Sequence, residues 1–349
     1  STPNSTYPVP LPKGLELYPF QRGAVEYAQG KNFVIFADEM GLGKTVEAIG
    51  LLNCLTFPPK TLIVCTATLK DNWKREIEKW STHPLTVNVV DPSDKTIPEA
   101  DVTIINYDLV FRRELPGPYG CVICDEAHYL RTITAQRTTA MLRHLETANL
   151  RIIITGTPIV NSPYDLWPVL SVSGLPLANG YLDRYVIEET RERPNGYGKT
   201  FKYIKRKGKN QEELQQLLRQ QCMHRCLKKD VLPQLPEKTV QPIYLPVKAT
   251  YAESLDDIEA QVRGVIDQGE ERKASEHLST MRREQAILKT PFALDHILEI
   301  LDGGDQKVVV FAHHHEVVKL LVDGLSKYSP LVVTGETPPK VRGTYVAAF

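Results

Sequence analysis

The sequence predicts an α/β protein of two lobes, each a mostly parallel sheet flanked by helices. Short apolar, β-branched runs alternate with stretches of helical periodicity in the first half of the chain, and this alternation is typical of such sheets. The chain has 349 residues, which is more than one ordinary domain usually contains. The runs that predict strands in the first lobe are 33–37, 61–66, 102–106, 121–124 and 151–154.

The composition indicates a folded globular protein. Hydrophobic residues make up 42% of the chain and charged residues 24%, which argues against wholesale disorder. Lys plus Arg and Asp plus Glu each total 42, so a nucleic-acid site would need a local concentration of positive charge. No apolar run is long enough to span a bilayer, and the polar, Pro-rich N-terminal stretch lacks the apolar core of a secretory signal. The sequence therefore predicts no membrane partner and an intracellular location, in the cytoplasm and nucleoid or in the nucleus.

Six cysteines without secretory features predict reduced thiols. Two spacings raise the question of a zinc site: Cys121-x-x-Cys124, and Cys222-x-x-x-Cys226 with His224. The first pair lies in a predicted strand, where residues three apart point to opposite faces and cannot hold one ion. The sequence therefore disfavours zinc.

The second half of the chain changes character after residue 162, where the strand pattern stops. A Gly- and Lys-rich stretch precedes a helical period, and prolines then mark a linker. The last segment has too few strands to form a complete lobe: strands are predicted only at 307–314 and 331–334. The predicted divisions are an N-terminal extension at 1–14, a first lobe at 15–175, a helical insertion with a basic loop at 176–232, a linker at 233–242, and a partial second lobe at 243–349 with a helical protrusion at about 250–287.

The strongest motif is FVIFADEMGLGKT, an apolar strand followed by a Gly-rich turn and a helix. Gly41 and Gly43 allow backbone amides to turn toward phosphate oxygens, and the helix presents its positive N-terminal end to the same anion. Lys44 would neutralise the β- and γ-phosphates, and Thr45 would ligate Mg²⁺. Asp38 stands where the general P-loop pattern has its first glycine.

The second motif is CVICDEAH, a strand that ends in two carboxylates. Asp125 at the strand tip could hold Mg²⁺ through its water shell, and Glu126 could accept a proton from the water that attacks the γ-phosphate. An ordinary acidic turn at a strand end is the alternative for this motif alone. The GLGKT motif about eighty residues upstream in the same sheet pattern favours the catalytic interpretation.

Four motifs together resemble the Swi/Snf family of helicase-like ATPases, and in particular its annealing-helicase, HARP-like branch. They are DEMGLGKT, DEAH, TGTPIVN at 155–161 and LKKDVLPQLPEK at 227–238. The resemblance runs from about Leu15 to His314, and Asp38 is the residue that this family has at that position. It implies two RecA-like P-loop lobes, ATP and Mg²⁺ as cofactors, and duplex or forked DNA as the partner.

The resemblance also implies residue roles. Gln21 corresponds to the glutamine that reads adenine, although a surface glutamine on a helix is the simpler alternative. For Trp73, packing of a helix on the sheet is favoured over base stacking. The implied ATP-binding residues are Gln21, Asp38, Gly41, Leu42, Gly43, Lys44 and Thr45, the coupling residues are His128, Thr155, Gly156 and Thr157, and the DNA-binding residues are Thr66, Lys70, Asn106 and Tyr107.

The densest basic run includes Lys202, Lys205, Arg206 and Lys207, interleaved with aromatic residues. One interpretation is a solvated loop. The other is a contact on duplex DNA, since each Lys or Arg that neutralises a phosphate releases counterions and adds salt-dependent affinity.

These motifs predict a DNA-dependent ATPase that moves along or remodels duplex DNA. An RNA-directed DEAH-type helicase and a nucleotide-gated DNA clamp without turnover are the alternatives. The family's late motif, whose arginine reaches the γ-phosphate from the second lobe, is not readable in this sequence. If these 349 residues are the whole polypeptide, hydrolysis is expected to be near background, and Arg342 is the nearest candidate for the missing charge.

Lys44→Ala should weaken ATP binding and abolish turnover, because it removes the point charge that faces the β- and γ-phosphates. Nucleotide affinity and ATP hydrolysis of a folded variant measure the effect. Unchanged affinity and turnover would remove the P-loop assignment.

Overall fold

The computed structural model describes residues 4–194, 200–236, 238–244, 271–304 and 307–349. Residues 1–3 of the predicted extension, position 237 of the predicted linker and residues 250–270 of the predicted protrusion lie outside the described residues. The chain divides into two compact units. One comprises Ser1–Thr190 and Ile204–Glu237, and the other comprises Arg191–Tyr203 and Lys238–Phe349. The finer domain boundaries remain predictions.

Nine strands are described. They are β1 Phe33–Phe36, β2 Thr61–Cys65, β3 Val87–Val89, β4 Val102–Asn106, β5 Cys121–Asp125, β6 Leu150–Ile154, β7 Val186–Pro194, β8 Thr200–Gly208 and β9 Met223–His224. Seven of them form one sheet in the order β3-β4-β2-β5-β6-β1-β9, and every neighbouring pair is parallel. The predicted α/β class with a parallel sheet is confirmed.

The described helices flank or follow this sheet along the chain. They are α1 Pro19–Ala28, α2 Lys44–Asn53, α3 Lys70–Trp80, α4 Gln136–Thr147, α5 Trp167–Ser171, α6 Tyr181–Tyr185, α7 Gln211–Gln221, α8 Lys228–Val231, α9 Glu271–Asp302, α10 His315–Gly324 and α11 Pro339–Ala348. None of the described helices combines the length and the apolar character that a bilayer-spanning segment needs.

The central strands are buried on both faces, which explains their continuous apolar runs. Ile35 and Cys124 contribute to the core on one face, whereas Val34 and Cys121 contribute to the core on the other. Cys121 and Cys124 therefore point to opposite faces of β5, as the strand period requires.

The segment predicted as a helical insertion contains three strands that the sequence analysis missed, β7, β8 and the two-residue β9. β7 and β8 pair with each other and not with the large sheet. The basic residues thus lie on a strand rather than in the predicted loop. Three glutamates of β7 face three basic residues of β8, and such opposite-charge pairs stabilise two neighbouring strands.

From Lys238 onward, the second unit contains helices but no regular strand among its described residues. The segments 307–314 and 331–334, which were predicted as strands, belong to no sheet in the described part of the chain. Neither is hydrogen-bonded through its backbone to another extended segment there. An apolar run predicts burial, but a strand also needs a partner. A small core of Ile297, Val317, Leu321 and Leu325 joins α9 to α10.

Candidate nucleotide-binding site

The two strongest motifs and the TGT segment meet at one edge of the large sheet. β5, β6 and β1 are neighbours, and all three run in the same direction. Their carboxyl ends therefore lie side by side, which is where open parallel sheets bind ligands. The structure thereby brings Lys44, Asp125 and Thr155 into one region, as the motifs predict.

The loop between β1 and α2 can surround an anion. Gly41 and Gly43 have φ values of +84° and +87°, a left-handed region that favours glycine. A Cβ on Gly43 would lie only 2.4 Å from Nε2 of Gln21, so a side chain there would displace that amide. α2 begins at Lys44 directly after this turn, and its first backbone N–H groups remain available to an anion.

Gln21 connects α1 to the same loop. Its side chain is buried, and Nε2 donates to the carbonyl oxygen of Leu42 at 2.9 Å. Its Oε1 accepts from the backbone N–H of Tyr18 at 3.0 Å. The amide is therefore held in one orientation, while each end keeps capacity for a second hydrogen bond. The adenine-reading role stays a prediction, but the surface-glutamine alternative is excluded by burial.

The Lys44 ammonium is folded back onto the loop. Its Nζ donates to the carbonyl oxygens of Asp38 at 2.7 Å and Glu39 at 3.3 Å. Burial lowers the pKa of Lys44, and the nearby carboxylates of Glu47 and Glu126 act in the opposite direction. The side chain is thus a half-buried cation whose present acceptors are backbone carbonyls that phosphate oxygens could replace.

Asp125 is a nearly buried carboxylate with both oxygens engaged. Oδ1 accepts from the backbone N–H of Glu126 at 2.9 Å, and Oδ2 accepts from Nε1 of Trp73 at 2.8 Å. Burial raises the pKa of Asp125, and the hydrogen bond from Trp73 opposes that shift. Two donors therefore favour the ionised form that a metal site requires.

Glu126 stands at the sharp turn that follows β5. Its φ of +51° is left-handed, which is uncommon for a residue with a side chain and is enriched at functional sites. Nδ1 of His128 lies 3.2 Å from Oε2 of Glu126. The predicted coupling residue His128 is therefore adjacent to the predicted general base.

The strand β9 and the residues after it brace the loop from a distant part of the sequence. Oδ1 of Asp38 accepts from the backbone N–H of Cys226 at 2.8 Å and from Nδ1 of His224 at 3.0 Å. Nη1 of Arg225 donates to the carbonyl oxygens of Ala37 at 2.7 Å and Gly156 at 3.2 Å. These contacts join the ends of β1, β6 and β9, and the sequence analysis missed them.

Three buried groups in this brace, Asp38, His224 and Cys226, have potential metal-ligating atoms within 4.8 Å of one another. Hydrogen bonds already account for their proximity, and burial raises the pKa of the Cys226 thiol to about 12, so the thiol is neutral. Oδ2 of Asp38 and both oxygens of Glu47 are buried without a hydrogen-bond partner among the described residues.

A proton shared between Glu47 and Oδ2 of Asp38 would pair two of these three oxygens. Glu47 is fully buried, and burial, reinforced by the Asp38 carboxylate, raises the pKa of Glu47 well above its usual range. This shift favours the neutral carboxylic acid, whose proton could serve Oδ2 of Asp38.

The TGT segment lies close against the loop. Thr155 is buried, and its Oγ1 accepts from the backbone N–H of Thr157 at 3.2 Å. A Cβ on Gly156 would lie 2.9 Å from Cγ of Met40 and 3.8 Å from Nζ of Lys44. The coupling role of this segment stays a prediction, and its contact with the loop is consistent with that role.

The predicted DNA-binding residues of the first unit differ in exposure. Thr66 and Lys70 are partly exposed, although Nζ of Lys70 donates to the carbonyl oxygen of Val90 at 2.6 Å. Asn106 and Tyr107 are buried, and the Tyr107 hydroxyl donates to the carbonyl oxygen of Asp125 at 2.7 Å. Direct phosphate contacts by Asn106 and Tyr107 disagree with this burial. Asn106 is the last residue of β4, and Tyr107 packs in the core on one face of the sheet.

Most of the basic residues of the β7–β8 hairpin that are predicted to contact DNA form an ion pair with a glutamate. Lys202 lies 3.6 Å from Glu192, and Lys207 lies 2.6 Å from Glu189. Arg206 pairs with Glu188 at 2.7 Å, and its guanidinium lies 3.7 Å from the centre of the Tyr164 ring. Lys205 is exposed and has no ion pair among the described residues.

Arg342, the candidate for the missing charge, donates hydrogen bonds to backbone carbonyl oxygens of the preceding turn in the second unit. Its guanidinium donates to the carbonyl oxygens of Thr334 and Thr337 at 2.8 Å each, and to that of Gly335 at 3.2 Å. These bonds give it a structural function there.

The chain is similar to a protein family and to several known proteins. The sequence pattern of the SNF2-related domain family matches residues 24–294. DNA annealing helicase and endonuclease ZRANB3 of Mus musculus is 30% identical over 356 residues, which is 96% of this chain and 33% of that protein. The SWI/SNF-related matrix-associated actin-dependent regulator of chromatin subfamily A-like protein 1 of Bos taurus is 28% identical over 343 residues, which is 95% of this chain and 36% of that protein.

The chain thus spans about a third of the length of these curated relatives. Among solved structures, the Sulfolobus solfataricus SWI2/SNF2 ATPase core in complex with dsDNA is similar at 20% identity with a TM-score of 0.49, over 96% of this chain and 75% of that one.

Glu47→Gln should change the free energy of unfolding by no more than about 1 kcal/mol, because a neutral amide can replace a neutral carboxylic acid as donor to Asp38. Chemical denaturation measures it. Asp38→Ala is the comparison. It leaves two buried donors, Nδ1 of His224 and the backbone N–H of Cys226, without an acceptor, each at a cost of about 1–3 kcal/mol. A loss of roughly 3 kcal/mol or more in Glu47→Gln would instead indicate a buried, compensated charge at Glu47.

Replacing Glu188, Glu189 and Glu192 together with glutamine should strengthen duplex-DNA binding, because it releases three basic side chains from their partners. The slope of log affinity against log salt should steepen by up to about 0.9 for each additional phosphate that these side chains neutralise. The matched control replaces three exposed glutamates elsewhere, Glu114, Glu146 and Glu212. Equal effects in both triple variants would reflect net charge alone.

Neutralising Lys202, Lys205, Arg206 and Lys207 should flatten the slope of log affinity for duplex DNA against log salt.

Proposed function

Since the chain belongs to the SNF2-related domain family, we propose that it is the motor segment of an ATP-dependent duplex-DNA translocase or remodeller. The observation that carries the proposal is the meeting of three groups at one sheet edge: the glycine turn with Lys44, the carboxylates after β5, and the TGT segment after β6. This combination supplies anion binding, metal binding and a general base in one place.

The nucleotide would be held mainly by the loop. The turn at Gly41 and Gly43 and the N-terminus of α2 offer backbone N–H groups to the phosphates, and Lys44 adds a charge that now rests on carbonyl oxygens. The amide of Gln21 would meet the adenine base, with the capacity that its two internal hydrogen bonds leave.

Thr45 and Asp125 would hold Mg²⁺. The donor set fits this ion, because Mg²⁺ prefers oxygen ligands and is usually bound by one or two carboxylates together with phosphates. Each oxygen of Asp125 accepts one hydrogen bond and keeps a further lone pair. When bound, Mg²⁺ supplies positive charge to the phosphate oxygens as the terminal phosphate leaves. Glu126 would orient and deprotonate the attacking water, and its turn fixes the direction of its side chain.

DNA would contact the partly exposed segment from Thr66 to Lys70 and the basic side of the β7–β8 hairpin. Contacts of this kind reach the phosphate backbone, so no base preference is expected. The names of the two relatives describe an annealing helicase and a regulator of chromatin. For this chain we propose ATP-driven movement on duplex or forked DNA, a proposal that the DNA annealing helicase among these relatives supports.

The decisive test compares ATP hydrolysis in the presence of duplex DNA, forked DNA, single-stranded DNA and RNA. The proposal expects the largest stimulation with duplex or forked DNA. Preferential stimulation by RNA would favour an RNA helicase, and tight Mg²⁺·ATP-gated DNA binding without turnover would favour a clamp.

Glu126→Gln should keep ATP bound but stop its hydrolysis, because the amide preserves shape yet cannot accept the proton. ATP affinity and single-turnover hydrolysis, each with duplex DNA, separate the two steps. Loss of nucleotide binding in a folded Glu126→Gln variant would assign Glu126 to binding rather than to catalysis.

A further inference from the structure

We propose that Trp73 is a positioning residue for Asp125: its indole N–H fixes the carboxylate that holds Mg²⁺ and ties it to helix α3. The inference rests on the proposed function of the site. It concerns a side chain that the sequence favours only as a packing residue on the sheet.

The geometry of the contact is specific. Nε1 of Trp73 donates to Oδ2 of Asp125 at 2.8 Å, and both side chains are buried. Oδ1 of the same carboxylate accepts from the backbone N–H of Glu126. Two donors from different directions leave the carboxylate plane little freedom to rotate. Mutating such outer partners of a metal ligand typically costs 10- to 100-fold in metal affinity or activity.

Packing alone does not account for tryptophan at this position. Phenylalanine would fill much of the same apolar volume, but it lacks a donor, and the indole N–H is the only hydrogen-bonding group of tryptophan. The same helix contains an internal comparison. Trp80 also packs on the sheet, yet its Nε1 is buried without a hydrogen-bond partner among the described residues.

The contact also joins two parts of the proposed motor. α3 starts at Lys70, which is the last residue of the segment from Thr66 to Lys70 proposed to contact DNA. Trp73 lies in the first turn of this helix, so a shift of that segment moves the donor on Oδ2. A second link reaches the same residue, because the Tyr107 hydroxyl donates to the Asp125 carbonyl oxygen. DNA contact near Thr66 would therefore change the geometry of the Mg²⁺ ligand directly.

The test replaces Trp73 with phenylalanine and uses Trp80→Phe as the matched control on the same helix. Mg²⁺ is titrated into each folded protein in the presence of ATP, and ATP affinity is measured separately in EDTA. Trp73→Phe should raise the half-saturating Mg²⁺ concentration roughly 10- to 100-fold while ATP affinity in EDTA stays at the wild-type value. Trp80→Phe should change neither quantity.

A second measurement leaves Trp73 in place, so that it decides even if Trp73→Phe fails to fold. In a Trp80→Phe, Trp167→Phe protein, Trp73 is the sole tryptophan of the three in the chain. Its fluorescence should change when Mg²⁺ is added to the ATP complex, because a cation on Asp125 would withdraw electron density from the oxygen that accepts the indole hydrogen bond.

The outcomes separate the inference from the function on which it rests. Equal Mg²⁺ requirements in the two single variants, or an unchanged Trp73 emission upon Mg²⁺ addition to a wild-type-like ATP complex, would overturn the positioning role alone. Failure of the wild-type protein to bind Mg²⁺·ATP would overturn both the proposed function and this inference.

Discussion

The double-sided burial of the parallel sheet is the constraint on which the rest of the structure depends. β1 and β5 are buried along their full length, and β6 is buried from Ile152 to Ile154, so no charged group can be accommodated in these stretches before the strand end. Asp38, Asp125 and Thr155 are the first polar positions at or just beyond the ends of three neighbouring strands. Because these strands are parallel, their polar ends share one edge, and the chemistry of the molecule is confined to it.

Confinement to one edge places several acidic side chains close together, and the surrounding residues stabilise them in different ways. Asp38, Glu47, Asp125 and Glu126 all act on the single ammonium of Lys44. A proton on Glu47 would remove its charge. Hydrogen bonds from His224 and from the backbone N–H of Cys226 stabilise Asp38, and those from Trp73 and the backbone N–H of Glu126 stabilise Asp125. A polyphosphate would add negative charge beside the last two carboxylates. A divalent cation at that point would offset this negative charge, which supports the proposal of Mg²⁺.

The sequence predicts the parts of this arrangement that local patterns encode. The five strand runs, the glycine turn and the DEAH carboxylates combine periodicity or spacing with a residue type that the chemistry needs. Contacts between distant segments are not encoded locally. β9 has only two residues, and His224 reaches Asp38 across 186 positions. The β7–β8 hairpin was missed because its alternation is masked by charge, and Trp73 because an apolar helix face looks the same whether or not its indole has an acceptor.

The order of the strands suggests how the two proposed activities communicate. The segments proposed for DNA contact or once predicted to make it follow β2 and β4, whereas the nucleotide segments follow β5, β6 and β1. Asp125 ends β5, the strand at the border between these halves. Buried Tyr107 contacts Asp125 instead of solvent. Its hydroxyl and the Trp73 indole both donate hydrogen bonds to this residue from the DNA half. A carboxylate that is held from the DNA half and lies beside the nucleotide segments could respond to either ligand, and a link of this kind is what the proposed ATP-driven DNA motor needs.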